Sequence, residues 1–395
     1  MRFLCVSDFV RDENSGSAGS VLAIGAALSQ RGHQIDYLWR STEPYRLRHP
    51  SLSRLFELPR RQYRQVSDQL QGAPYDVVII SQPYAYLVYE KLPPRHPRTL
   101  FLNRTHGWED RFNSARLRFG WDGHQSTARR LAIRLTKALV DRACVRTLRA
   151  CHGLIAPSSR CVKYIQAVHG GATDKIAVIP YGVGEEFLRR SPIRRDSTLE
   201  QVRMLYVGNY LPLKGSDVLE SLLPPLGRAY PQSTMTFIVP DDATERVRSH
   251  FAPAFSDRLT ILNWHRRSEL PAVYAGHDIL LFPSLFEGFG KTFLEAMVCG
   301  LCVVGFGEGG LADIATSGQQ ALYCETGDVD SLKTLLERCL QSASLTRDIG
   351  RRAQQVAQKY SWARTAESTE MFVVRQAHHE QVHSVRPEPA RLQSF

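Results

Sequence analysis

No stretch of this 395-residue sequence approaches 18 uninterrupted apolar residues, and the run within Met1–Asp8 is too short for the core of a secretory leader. The expectation is therefore a cytoplasmic chain without a membrane span. Cysteine is sparse, with eight scattered residues, and the one close pair, Cys299 and Cys302 in CGLC, has no second pair at zinc-site spacing. Reduced, packed thiols follow. The small-residue loop Ser15–Ser20 after the first expected strand lacks the full G-x-G-x-x-G spacing and the acid that should follow it by about 20 residues, which argues against a dinucleotide cofactor. No base-reading or stacking motif accompanies the positive charge, so nucleic acid is not an expected partner.

The composition is that of a globular protein: 43% hydrophobic residues and 23% charged ones support a sizeable core. The length is that of two domains. The net charge of +11 is uneven, since residues 1–190 hold 29 Lys and Arg against 16 Asp and Glu, and the remainder is slightly acidic. Basic residues cluster at Arg40, Arg46, Arg48, Arg54, Arg60, Arg61 and Arg64, and again at Arg129, Arg130, Arg134, Lys137, Arg142, Arg146 and Arg149 on an expected long helix. Such a face suits an anionic membrane surface or a phosphate-bearing lipid acceptor, and equally suits plain solvation of a helix.

Short apolar runs alternate with helix-length amphipathic stretches, the pattern of parallel sheets covered by helices on both faces. Strands are expected at Phe3–Val6, Ile35–Leu38, Val77–Ile80, Leu100–Leu102, Gly153–Ala156 and Ile176–Ile179, then at Met204–Val207, Met235–Val239, Leu259–Leu262, Ile279–Phe282 and Cys302–Val304. Helices are expected at Ser20–Arg31, Ser158–Val168 and Trp362–Gln376, among others. The fold class is thus α/β, with two Rossmann-like, doubly wound parallel-sheet domains facing a cleft. A polar, Pro-containing stretch at 189–197 separates an N-terminal domain, 1–190, from a C-terminal one, 198–361. The helix 362–376 is expected to pack back on the first domain, and 377–395 to form a disordered tail.

Ligands of open α/β sheets bind beyond the C-terminal ends of the strands, so the candidate residues are those that follow strands. Gly16, Ser17 and Gly19 form a small-residue loop between the first strand and the first helix, where backbone N–H groups can approach an anion; a tight turn is the alternative. The second domain repeats the plan with Gly208-Asn209-Tyr210-Leu211-Pro212-Leu213-Lys214-Gly215 before a helix capped by Ser216. Lys214 adds a full charge to that helix end, which suits a diphosphate whose charge grows as a bond breaks. The strongest signal is Phe282-Pro283-Ser284-Leu285-Phe286-Glu287-Gly288-Phe289-Gly290-Lys291-Thr292-Phe293-Leu294-Glu295, a buried strand feeding a glycine loop and a helix. Glu287 on the loop and Glu295 in the first helical turn suit hydroxyls of two sugars. Thr292-Phe293-Leu294-Glu295 also reads as a capping box, in which Glu295 serves only the backbone. Asp328-Val329-Asp330 lies at a helix start, where acids cap, and is not expected to bind metal.

These segments, together with VIPYGVGEEF at 178–187, resemble the GT-B-fold retaining glycosyltransferases of family 4 (glycosyl transferases group 1) over residues 1–376, most strongly over 202–314. The resemblance implies a metal-independent hexosyltransferase that uses a nucleotide-diphosphate sugar as co-substrate and needs no cofactor. It implies that Glu287 binds donor-sugar hydroxyls, Glu295 the ribose, and Lys214 the diphosphate. Gly288, Phe289, Gly290, Lys291 and Thr292 surround the sugar or diphosphate, and the Gly16–Gly19 loop closes from the first domain. His106, in Asn103-Arg104-Thr105-His106-Gly107-Trp108, matches the family's active-site histidine. Asn209 departs from the family pattern, which commonly has arginine there, and a catalytically reduced sugar-nucleotide-binding protein is the alternative reading. The acceptor implied is a glycan or a lipid-linked precursor of cell-surface polysaccharide or glycolipid, met at the inner face of the membrane by a peripheral enzyme.

Overall fold

The computed structural model describes the chain apart from 41–43, 48–51, 82–83, 120–126, 171–172, 190–200, 264–267 and 381–395. The expected linker core at 190–197, most of the expected tail, and Arg48 lie outside the described residues. The chain divides into two compact units: Met1–Asn113, Arg130–Tyr181 and the chain from Trp362 onward in the first, Ser114–Arg129 and Gly182–Ser361 in the second. The division falls between Tyr181 and Gly182, whereas the sequence pattern placed a boundary near 190.

The first unit is built on a six-stranded parallel sheet of β1 (Arg2–Val6), β2 (Gln34–Leu38), β3 (Val77–Ile80), β4 (Leu100–Arg104), β5 (Gly153–Ala156) and β6 (Ile176–Val178) in the order β2-β1-β3-β4-β5-β6. Runs such as Val77-Val78-Ile79-Ile80 are buried on both faces, as a strand between two helical layers must be. The helix Leu58–Gly72 shows why its sequence is helical. Leu58, Gln62, Val66 and Leu70 recur at every fourth residue and form the buried stripe, while the arginines between them stay outside it. The helix Trp362–His379 belongs to this unit and packs along the helix Gly16–Gln30; it runs three residues beyond the expected end at Gln376.

The second unit has its own six-stranded parallel sheet of β7 (Arg203–Val207), β8 (Thr234–Ile238), β9 (Leu259–Leu262), β10 (Ile279–Phe282), β11 (Cys302–Phe306) and β12 (Leu322–Cys324), ordered β12-β11-β10-β7-β8-β9. In both sheets the chain reverses its direction of growth beside the first strand, between β1 and β3 and between β7 and β10. These are the positions at which open α/β sheets form ligand crevices. The opposite ends of the strands share one device: Asp76, just before β3, accepts the amide of Arg2 at 2.7 Å, and Asp278, just before β10, accepts the amide of Arg203 at 2.9 Å.

Several cysteines are core residues, including Cys5, Cys144, Cys151, Cys161, Cys302 and Cys339, and all eight are free thiols. Burial pushes the thiols of Cys5 and Cys161 up to about 12.

Candidate active site

The second unit gathers the strongest candidates at its switch point. β7 leads into a single turn, Pro212–Lys214, and then the helix Ser216–Ala229; β10 leads into the Ser284–Gly290 loop and the helix Lys291–Val298. The two connections are fastened together. The Leu285 amide donates to the Leu213 carbonyl at 2.9 Å, and a side chain at Gly215 (φ +82°) would place its Cβ 2.3 Å from the Pro283 carbonyl oxygen. Only glycine fits there. The helix cap is accordingly Gly215, not Ser216, which is the first helical residue and donates its hydroxyl to Asp217.

This fastening brings Lys214 Nζ to 2.6 Å from Glu287 Oε1, which also accepts the Ser284 hydroxyl at 2.9 Å. Lys214 and Ser284 thus give Glu287 polar partners between Phe286 and Phe289. Its side chain is 12% exposed and that of Lys214 is 32% exposed, so both are reachable without being fully solvated. The backbone carbonyls of Asn209 and Lys214 accept from Tyr206 Oη at 2.9 and 3.4 Å, which fixes the loop; the Asn209 side chain is exposed.

The helix Lys291–Val298 begins at a left-handed Gly290 (φ +91°) whose Cβ would meet the Phe282 ring at 2.6 Å, and no side chain caps it. The capping box read from Thr292 to Glu295 does not form, because Thr292 is already the second helical residue. Glu295 is the fifth residue, one turn later than expected. It is 3% exposed and accepts the hydroxyl of fully buried Tyr274 at 3.3 Å. Phe289 is buried against Phe293, with ring centroids 5.4 Å apart, and its carbonyl accepts the Gly310 amide at 2.9 Å. Gly288 is buried, while Lys291 and Thr292 are half-buried at the helix start.

One neighbour had the same sequence signal and was overlooked. Glu308 follows β11 in Gly305-Phe306-Gly307-Glu308-Gly309-Gly310, is 2% exposed, and accepts the Thr326 hydroxyl at 2.8 Å. Gly309 (φ +63°) lets this loop press on Phe289, since a Cβ there would lie 2.2 Å from the Phe289 carbonyl oxygen.

In the first unit the small-residue loop is not a loop. The helix starts at Gly16, with Ser15 as its cap accepting the Ala18 amide at 2.9 Å, so Gly16, Ser17 and Gly19 form its first turn rather than preceding a helix that opens at Ser20. The Ala18 amide is thereby taken by the Ser15 hydroxyl, and the Gly19 amide donates to the Ser15 carbonyl at 3.2 Å. Gly16 faces open space, whereas a Cβ at Gly19 would sit 2.5 Å from the Glu13 carbonyl oxygen.

His106 follows β4. Its Nδ1 lies 2.5 Å from Tyr181 Oη, and its ring meets Phe9 edge-on at 5.7 Å between centroids. Tyr181, in the VIPYGV segment, carried a signal in its position after β6 that the sequence pattern alone did not resolve. Asp36, in β2, pairs with Arg2 at 2.8 Å. Asp328 caps its helix by accepting the Ser331 amide at 3.0 Å, and among the described residues no group of three His, Cys, Asp or Glu side chains is placed to hold a metal.

Part of the basic helix Thr127–Ala150 is spoken for. Lys137 pairs with buried Asp110 and, at 2.9 Å, with Asp141; Arg146 pairs with Glu90. Arg134, Arg142 and Arg149 remain exposed. Among the described residues no helix is long and apolar enough to cross a membrane.

Comparison with known proteins agrees with both units. The family described as "Glycosyltransferase Family 4" matches residues 14–187, and "Glycosyl transferases group 1" matches 201–342. The phosphatidylinositol N-acetylglucosaminyltransferase GPI3 subunit of Saccharomyces cerevisiae is 25% identical over 246 residues, 60% of this chain and 53% of that protein. The D-inositol 3-phosphate glycosyltransferase of Segniliparus rotundus is 27% identical over 234 residues, 54% and 51% respectively. The chain thus spans about half the length of the curated relatives it matches. Sucrose-phosphate synthase from Thermosynechococcus elongatus superposes with a TM-score of 0.72 at 18% identity, covering 96% of this chain and all of that one. HepE from Anabaena, in complex with UDP and glucose, gives 0.65 at 17%, covering 94% and 99%. With a GT-B architecture and two family models that together take in most of its length, the chain belongs to the group 1 glycosyltransferases of family 4.

Proposed function

We propose that this glycosyltransferase moves a hexose from a nucleotide-diphosphate sugar to its acceptor with retention of configuration and without a metal ion. The observation that carries the reading is the Lys214–Glu287 pair at the switch point of the second sheet, 2.6 Å apart and partly open to solvent. A diphosphate that bridges Lys214 and the N-terminus of the Ser216 helix has its growing charge met by a full cation and a helix dipole as the sugar leaves. Lys214 is the cationic group here, with Asn209 exposed beside it. Glu287 then accepts hydroxyls of the sugar, and buried Glu295 those of the ribose. No side chain is assigned as a covalent nucleophile. The acceptor oxygen bonds to the anomeric carbon on the face from which the diphosphate departs, and the acceptor's proton passes to a diphosphate oxygen.

The names of two relatives include an inositol lipid and an inositol phosphate. With the basic first half of the chain, they support an acceptor carrying phosphate, as in a lipid-linked or glycolipid precursor, reached at an anionic membrane surface. The test is transfer from UDP-, GDP- and ADP-sugars in the presence of EDTA, with the anomeric configuration of the product read by NMR. A retained anomer formed without metal supports the reading. An inverted product, or transfer only on adding a divalent cation, overturns it, and nucleotide binding with no turnover of any donor favours the binding-protein reading that Asn209 raises.

A further inference from the structure

The C-terminal end of the first sheet buries a cation for which the transfer reading has no use. Arg104, the last residue of β4, is 3% exposed. Its Nη1 donates to the Thr369 hydroxyl at 3.0 Å, and its Nε and Nη2 have no hydrogen-bond partner among the described residues. Burying a guanidinium without a carboxylate is costly, and desolvation lowers its pKa. Arginine nonetheless stays charged in proteins and can only donate hydrogen bonds.

What this charge faces is Tyr181. The guanidinium carbon lies 5.6 Å from the Tyr181 ring centre, Tyr181 is 4% exposed, and its hydroxyl touches His106 Nδ1. The C-terminal helix locks the arrangement. Thr369 holds Arg104, Thr365 donates to the Pro180 carbonyl at 2.9 Å, and the Trp362 ring lies 5.7 Å from that of Tyr181. A permanent positive charge beside a hydroxyl turns the oxygen toward itself and the hydrogen away, here toward His106 Nδ1. A neutral imidazole that accepts at Nδ1 carries its proton on Nε2. Phe9 lies edge-on to His106, and burial keeps the thiols near Arg104 and Tyr181, Cys5 and Cys161, protonated.

We infer that Arg104 is a positioning residue that acts through Tyr181 to set the tautomer of the neutral His106 ring, with its proton on Nε2, so that His106 presents an N–H donor to a substrate oxygen. This rests on His106 serving the proposed transfer. The test is nitrogen NMR of the full chain labelled at histidine, with His106 assigned by the signal lost in His106→Gln. The wild type should show a protonated-type Nε2 and an acceptor-type Nδ1. Tyr181→Phe and Arg104→Met should convert this to a mixture of forms, while Arg104→Lys keeps it. A wild-type proton on Nδ1 overturns the inference, as does an unchanged pattern in Tyr181→Phe. If Arg104→Met does not fold, the wild type and Tyr181→Phe decide. In the transfer assay Arg104→Met should lower kcat on the order of tenfold or more with donor KM nearly unchanged, and Arg104→Lys should recover most of it. The NMR readout needs no substrate, so a chain that shows the Nε2–H form yet turns over no sugar nucleotide loses the transfer reading and keeps only the placement of the His106 proton by Arg104 and Tyr181.

Discussion

Lys214 and Glu287 stand 73 residues apart in sequence and 2.6 Å apart in space, because β7 and β10 are neighbours and Gly215 allows their two exits to touch. The contact places a cation and a carboxylate where an α/β sheet forms its ligand crevice, and it makes each residue's role separable from its contribution to stability.

Replacing Lys214 by alanine tests that separation. A partly exposed ion pair contributes about 0–1 kcal/mol, so the thermal midpoint should move by no more than a few degrees. Transfer should fall on the order of a hundredfold, the usual effect of removing one group that stabilises developing charge. Differential scanning calorimetry beside a transfer assay checks both halves. A large loss of stability with little loss of rate would make the pair structural.

Glu295 should behave differently, since it is buried and takes a hydrogen bond from Tyr274. Glu295→Gln preserves the shape and removes the charge-assisted acceptor. Nucleotide affinity measured by calorimetry should weaken about tenfold or more, in line with about 1.5–3 kcal/mol for a hydrogen bond to a charged group. Unchanged affinity would take the ribose away from this residue.

The glycines predict opposite outcomes. Gly290→Ala requires a left-handed alanine with its Cβ 2.6 Å from the Phe282 ring, and should cost about 2 kcal/mol or more. Gly16→Ala adds a methyl group to open space in a helical first turn and should leave the unfolding midpoint level or slightly raised. Equal destabilisation of the two variants would contradict the geometry at both positions.

Stability should also carry a pH signature from Glu109. Its Oε2 is shut away from water without a hydrogen-bond partner among the described residues, and burial pushes the carboxyl up to about 8 from an ordinary 4.5. Between those values the folded chain holds a proton that the unfolded chain has lost, so stability is full below about pH 4.5 and declines as pH rises through about 8. Glu109→Gln should flatten that decline when thermal midpoints are compared at pH 5 and pH 8.5. Parallel curves for wild type and variant would refute the assignment.

The contrast between what was and was not legible follows from the range of each interaction. Strands such as Val77–Ile80 announce themselves, because a strand buried on both faces must be apolar throughout. β12 did not, being three residues at a sheet edge with Tyr323 and Cys324 half-buried. The start of the first helix was misplaced because Gly16 and Gly19 read as breakers, although Gly19 is there to admit Glu13. The Thr292–Glu295 capping box failed because sequence does not reveal that Gly290 turns left-handed and starts the helix earlier. Glu287 and Lys214 were each visible after their own strands; their contact was not, since it depends on which strands become neighbours. Arg104 was least legible of all, because nothing local distinguishes a buried arginine from a solvated one.

The central claim is that Lys214 and the loop around it bind the diphosphate of a sugar nucleotide without metal, and titration calorimetry of UDP, GDP and ADP in EDTA tests it most directly. The account predicts that one of them binds the wild type and that Lys214→Ala weakens it about tenfold or more while the fold is retained. Binding of none of the three, or equal binding to wild type and variant, would contradict it.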